Sequence, residues 1–152
     1  MNAPQFSRRW RGFTLSELLT VLVVVAVLAA IAVPMWRVHL LRVRRSDASA
    51  ALVAVQMAQD QFFGRNARYA SGAQLTAAAP KGLGLKAVSA HGFYRIELHT
   101  GPDALGYAAT AQALPQAGQA ADGRCVEFSI DHNGQRRALD SLGEDRSADC
   151  WH

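Results

Sequence analysis

Cysteine is scarce in this chain: there are two, Cys125 and Cys150, both in the last quarter of 152 residues. No Cys-x-x-Cys pair exists, and no Cys/His spacing suits zinc. The histidines, His39, His91, His99, His132 and His152, are scattered without ligand spacing. Asp140, Glu144, Asp145 and Asp149 gather near the C-terminus but lack the EF-hand pattern, so a solvated acidic tail is the simpler reading. Ser16 and Ser46 stand in no nucleophile context, and no catalytic constellation emerges. The chain therefore reads as a non-enzyme with no cofactor and no metal. Basic charge is missing where a nucleic-acid partner would require it. The net charge is +4, but Arg8, Arg9 and Arg11 precede position 12, and Arg37, Arg42, Arg44 and Arg45 follow an apolar run. From Ser46 onward there are 9 Lys+Arg against 11 Asp+Glu, a balance of −2. That region lacks the basic footprint of a nucleic-acid binder. Tyr69, Tyr94 and Tyr107 could stack on bases, but core or rim aromatics are the default.

What the chain does have is the stretch 12–34, GFTLSELLTVLVVVAVLAAIAVP. Between Leu18 and Val33 only Thr20 is polar. A helix through 13–33 rises about 30 Å at ~1.5 Å per residue, the thickness of a bilayer's hydrocarbon core. Glu17 interrupts it. A carboxylate inside a membrane span is costly and is a functional hypothesis by default. A secretory signal is the rival reading, with Arg8–Arg11 as the basic region, 18–28 as the apolar region and Ala30-Ile31-Ala32 as the cleavage site. Glu17 breaks the front of that apolar region. Lys/Arg counts on the two sides of the span nearly tie, so they do not orient it. An even cysteine count in a small domain beyond the span suggests a Cys125–Cys150 disulfide in an oxidising compartment; two unpaired buried thiols are the other reading.

Pro34, which has no N–H and crowds the carbonyl four residues back, ends or kinks the helix. Helix resumes beyond it. Ala48, Ala51, Leu52, Val55, Ala58 and Phe62 recur at steps of three or four and form one apolar stripe. Asp47, Gln56, Asp60 and Gln61 fall largely off it, and Gly64 and Asn66 supply the stop. Residues 65–88 form a long connection that Leu75, Leu83 and Leu85 pin to a core. Four strands follow, at 93–98, 107–114, 125–130 and 136–139, with turns at Gly101-Pro102-Asp103 and Asn133-Gly134. In the third, Val126, Phe128 and Ile130 alternate against Cys125, Glu127 and Ser129. Short links favour an antiparallel meander, and the helix stripe covers its apolar face.

The basic leader, Gly12, Phe13-Thr14-Leu15-x-Glu17 and the apolar run to Pro34 resemble a type IV prepilin. Further pieces resemble PilE-type minor pilins: RRSDASAAL at 44–52, Arg68-Tyr69-Ala70, Gly118-Gln119 with Asp122 and Cys125, and the terminal Cys150-Trp151. The resemblance implies cleavage between Gly12 and Phe13 by a prepilin peptidase, N-methylation of Phe13, and use of Glu17 in subunit assembly. Where the family commonly has glycine this chain has Ala26, so helix melting between there and Pro34 is not implied.

The expected fold is α+β, the pilin fold: a long N-terminal helix, transmembrane in its first half and amphipathic in its second, packed on a four-stranded antiparallel sheet. The expected division is leader 1–12, assembly helix 13–36, amphipathic continuation 37–64 and β-sheet head 65–152 with a C-terminal disulfide loop. The expected function is a structural subunit, a minor pilin, of a type IV pilus. Its implied partners are other pilin subunits, prepilin peptidase and inner-membrane assembly machinery. The implied location is the bacterial inner membrane, single-pass with a periplasmic head, and then the extracellular pilus. Two alternatives stand beside it: a DNA-capturing minor pilin, which the −2 balance disfavours, and a pseudopilin of a type II secretion system.

Overall fold

The computed structural model describes residues 14–151. Helix α1, Leu15–Asn66, runs through Pro34 without interruption. The described residues divide into two compact units, one up to Val38 and one from His39 onward. Among the described residues of the first unit no side chain is buried, and Leu18, Leu22, Val25, Leu28 and Ile31 are all more than half exposed. A helix that is apolar on every side has no stable aqueous solution. α1 is long and apolar enough to cross a membrane, the one such helix among the described residues.

In the second unit α1 buries Asp47, Ala48, Leu52, Val55, Gln59 and Phe62. Strands β1 (Tyr94–Thr100), β2 (Tyr107–Ala113), β3 (Glu127–Asp131) and β4 (Arg136–Leu139) form one antiparallel sheet in sequential order. Alternation along each strand turns Tyr94, Ile96, Leu98, Tyr107, Ala109, Ala111, Phe128, Ile130 and Ala138 inward. The register places Ala109 between Leu98 and Ile130, and Ala111 between Ile96 and Phe128. Two alanines at the middle of the sheet leave room between larger neighbours, and Leu52 and Val55 of α1 join the same core. The meander and its helical cover are those expected from sequence.

Local departures have local causes. Asp47 is buried at 6% exposure, contrary to its expected place off the stripe, because its carboxylate is hydrogen-bonded on both oxygens. Cys125, read as the first residue of the third strand, instead precedes β3; it is fully buried at the end of a turn closed by its own N–H to the Asp122 carbonyl at 3.2 Å. β1 begins one residue later than expected and extends to Thr100. Gly64 lies inside α1 and does not stop it. The stop is Ala67, at φ 52°, whose N–H reaches the Phe63 carbonyl at 2.8 Å, while the Asn66 amide caps Phe62 at 2.9 Å.

The connection after α1 is held by one side chain. The buried Gln59 amide donates to the Ala70 carbonyl at 3.0 Å and accepts the Ala70 N–H at 2.8 Å. A side-chain amide thus pairs as a strand neighbour would, and satisfies two backbone groups that burial would otherwise orphan. Leu75 is buried beyond it, with Leu83 and Leu85 packed at the core's edge.

Candidate functional site

Of the residues singled out from sequence, Gly12 and Phe13 lie outside the described residues. Glu17 is described, and its setting was not foreseen. Thr14 precedes the first helical residue, and its hydroxyl accepts the Glu17 N–H at 3.3 Å. The Glu17 carboxylate reaches back to the Thr14 N–H at 2.8 Å and to the Thr14 hydroxyl at 2.8 Å. This is a capping box, and Thr-x-x-Glu ahead of an apolar run is its sequence signature. Two orphan donors of the first turn are satisfied without water, which matters for a helix end entering lipid. Thr20, the lone polar residue of the run beyond Glu17, donates to the Ser16 carbonyl at 2.6 Å, so its hydroxyl is also paired within the helix. The result is an all-round apolar rod with a single carboxylate near its start.

In the head, the dispersed sequence pieces meet. Arg45 grips Asp122 through two bonds, Nε to Oδ2 at 2.7 Å and an amino group to Oδ1 at 2.9 Å. Both side chains are largely removed from solvent, at 13% and 5% exposure. Its other amino group reaches the Asp149 carbonyl at 3.4 Å. Asp122 lies three residues before Cys125 and Asp149 one before Cys150, so a single guanidinium touches both arms of the disulfide. Cys125 and Cys150 are bonded, with no free cysteine left. Gln119 is fully buried and donates to the Leu41 carbonyl at 3.3 Å. Trp151 closes the tail: its indole N–H donates to the Arg137 carbonyl at 2.8 Å, its ring meets Phe128 edge-on, and Arg136 stacks over it.

Asp47 is the second buried anchor. Ser89 donates to its Oδ2 at 2.5 Å, and the His91 ring and backbone N–H approach its Oδ1 at 3.0 and 3.3 Å. Burial pushes the carboxyl up, but the bonds from Ser89 and His91 outweigh it and hold Asp47 below its ordinary value. Ser, His and Asp are adjacent here, yet the serine bonds the carboxylate rather than the imidazole. That is the wrong order for a nucleophilic relay. Burial pushes the Tyr94 and Tyr107 hydroxyls up, as expected of core tyrosines.

The acidic tail is spent on its own turns. Asp140 accepts the Leu142 and Glu144 N–H groups at 2.9 and 3.0 Å and the Arg146 guanidinium at 3.0 Å. Those bonds, the Glu144 N–H foremost, hold its carboxyl below the usual range. Asp145 accepts the Ser147 N–H at 2.8 Å just ahead of the short helix α2, Ser147–Cys150. The outward face of the sheet alternates in sign: Arg95, Glu97 and His99 on β1, Glu127 and Asp131 on β3, and Arg137 on β4.

Two family descriptions match the chain. Residues 34–129 match "Type IV minor pilin ComP, DNA uptake sequence receptor". Residues 8–33 match the prokaryotic N-terminal methylation motif. This chain belongs to the type IV minor pilins. The major pilin PilA of Myxococcus xanthus is 38% identical over 81 residues, which cover 53% of this chain and 37% of that protein. The minor pilin thus spans just over a third of that relative's length. A type IV pilin from Shewanella oneidensis has the same fold, with a TM-score of 0.50 at 22% identity over 74% of this chain and 98% of that one. The non-core minor pilin PilV of Neisseria meningitidis aligns at a TM-score of 0.49 and 15% identity, over 70% and 93% of the two chains.

Proposed function

We propose that the minor pilin is made as a precursor, cut between Gly12 and Phe13 by prepilin peptidase, and methylated on Phe13. It waits in the inner membrane with its head in the periplasm, and the inner-membrane assembly machinery then moves it into a type IV pilus. The observation that carries this reading is the apolar first part of α1, where Glu17 is the one carboxylate before Asp47, lying within the methylation motif at 8–33. In a bundle of such helices an unpaired Glu17 is expensive. The new amino group at Phe13 of a neighbouring subunit is the cation that cleavage supplies, and pairing with it sets the stagger between subunits. The Cys125–Cys150 bond fits an exported head. Intact mass spectrometry of protein taken from its own membrane tests the processing. The expected chain begins at methylated Phe13. A terminus at Val33 would identify an ordinary signal peptide and end the fibre reading.

The match at 34–129 favours a second reading, in which the head captures DNA during uptake. Against it stand the −2 balance and the engagement of Arg45, Arg124 and Arg146 by carboxylates. Duplex binding by the full chain, measured across salt concentrations, separates the two. A receptor neutralising several phosphates loses affinity steeply with salt; a purely structural subunit shows no saturable binding.

A further inference from the structure

We propose that Arg42 and Arg44, with Phe93 beside them, form a docking surface for anionic phospholipid headgroups of the membrane that holds the precursor. The inference rests on the membrane-anchored reading above and adds a lipid contact to it. Three arginines open the head, at 42, 44 and 45, and the structure separates their roles. Arg45 is taken by Asp122. Arg42 is exposed, and among the described residues neither it nor Arg44 forms an ion pair with a carboxylate. Arg44 lies over the Phe93 ring, 4.5 Å from its centre, and the His91 ring stacks at 6.3 Å from the same phenylalanine. The aromatic face holds the Arg44 guanidinium without neutralising it. The nearby carboxylate, Asp47, is buried and occupied by Ser89 and His91.

Position along the chain selects the occupant. Arg42 follows Pro34 by only eight residues, so the chain tethers it close to the end of the apolar stretch. The headgroup layer on each side of the hydrocarbon is about 5–8 Å thick, and the field of an anionic surface persists over a Debye length of about 8 Å. Arginine side chains tethered this close to the span by the chain can reach that layer. By sequence, Trp36 and Arg37 occupy the boundary just before, where aromatic and basic anchors settle. DNA is the competing polyanion, but the remainder of the head is net negative and its outward sheet face mixes signs, whereas among the described residues Arg42 and Arg44 are the head's unpaired arginines nearest the span in sequence.

The test uses the full chain reconstituted in phosphatidylcholine bilayers carrying spin-labelled phosphatidylglycerol or phosphatidylcholine. The motionally restricted fraction of each probe gives the lipid preference. Wild type should prefer phosphatidylglycerol, less so at high salt. Arg42→Gln and Arg44→Gln should each lower the preference roughly five-fold, equivalent to about 1 kcal/mol per basic side chain near an anionic surface. Arg124→Gln, which removes an arginine already paired with Asp149, should leave it unchanged. An intact Cys125–Cys150 bridge and native hydrogen exchange in β2 establish that the variants are folded. A preference unchanged in the Arg42/Arg44 double variant overturns the proposal. So does a double variant that keeps the lipid preference and loses duplex-DNA binding. Insertion without any preference sinks this inference alone, whereas failure to insert sinks the membrane-anchored reading with it.

Discussion

On Glu17 two roles meet in one carboxylate. Within the chain it closes a capping box with Thr14; in a fibre it is proposed to pair with the Phe13 amine of a neighbour. The roles make different demands. A capping box accepts Gln in place of Glu, but an ion pair needs the charge. Glu17→Gln therefore keeps the cap and removes the pairing, while Glu17→Val removes both. Both variants should insert and be cut at Gly12, since neither alters the cleaved bond. If pairing governs assembly, both should be depleted in sheared pili and retained in the membrane. If the carboxylate only caps the helix, Glu17→Gln should assemble like wild type and Glu17→Val alone should suffer. Full incorporation of Glu17→Gln would remove the assembly role. At Ala26 the residue scale gives a smaller prediction. Ala26→Gly should lower local helix propensity by about 1 kcal/mol and raise hydrogen exchange between 26 and 34. Unchanged exchange would show that surroundings override local preference.

Between elements, the Arg45–Asp122 pair fastens α1 to the turn before β3, and the Cys125–Cys150 bond fastens that turn to α2. Removing the bond should cost roughly 3–4 kcal/mol by the chain-entropy estimate for a loop of this size. Arg45→Met leaves Asp122 buried without its partner, and breaking a buried pair in this way costs about 3–5 kcal/mol. The double variant Arg45→Met with Asp122→Leu should recover much of that loss, because it leaves no uncompensated charge. Additive losses in a double-mutant cycle, read by denaturant unfolding, would show that the two side chains do not depend on each other. The elements themselves were readable from sequence because period and punctuation are local: the steps from Ala48 to Phe62, the Asn133-Gly134 turn, the alternation of Phe128 and Ile130. What escaped was partnership at a distance. Nothing near Asp47 announces Ser89, 42 residues on, and nothing near Gln59 announces Ala70. Gln59 is a polar residue at a position the helical period assigns to the core, and that conflict was the available signal; Asp47, read as off the stripe, gave none. The capping box was written openly as Thr-x-x-Glu, and was masked by the assembly reading of the same glutamate.

Taken whole, the molecule joins two units with opposite solvent requirements, and acid should part their fates. Beyond Glu17 the apolar part of α1, up to Trp36, contains no ionisable side chain. The head depends on carboxylates that are bonded in their charged form. Asp47, Asp140 and Asp145 are all held below their ordinary value of 3.8. For a carboxyl whose folded value is depressed, the folded state binds fewer protons than the unfolded state. Its contribution is fully present above the unfolded value and is lost as pH falls through the folded one. The head should therefore keep constant stability from neutral pH to about 5 and weaken below about 4. Asp47 matters most, because its carboxylate is buried and holds Ser89 and His91 against α1. In detergent-solubilised full chain, hydrogen exchange should accelerate in β1 and β2 below that pH while amides of 18–33 stay protected. Asp47→Asn should lower stability at neutral pH and flatten the acid dependence, since the group that titrates is gone. An acid transition of unchanged steepness in Asp47→Asn would assign the effect to the Asp140 and Asp145 turns. Simultaneous loss of protection at 18–33 and in the sheet would mean that the two units unfold as one.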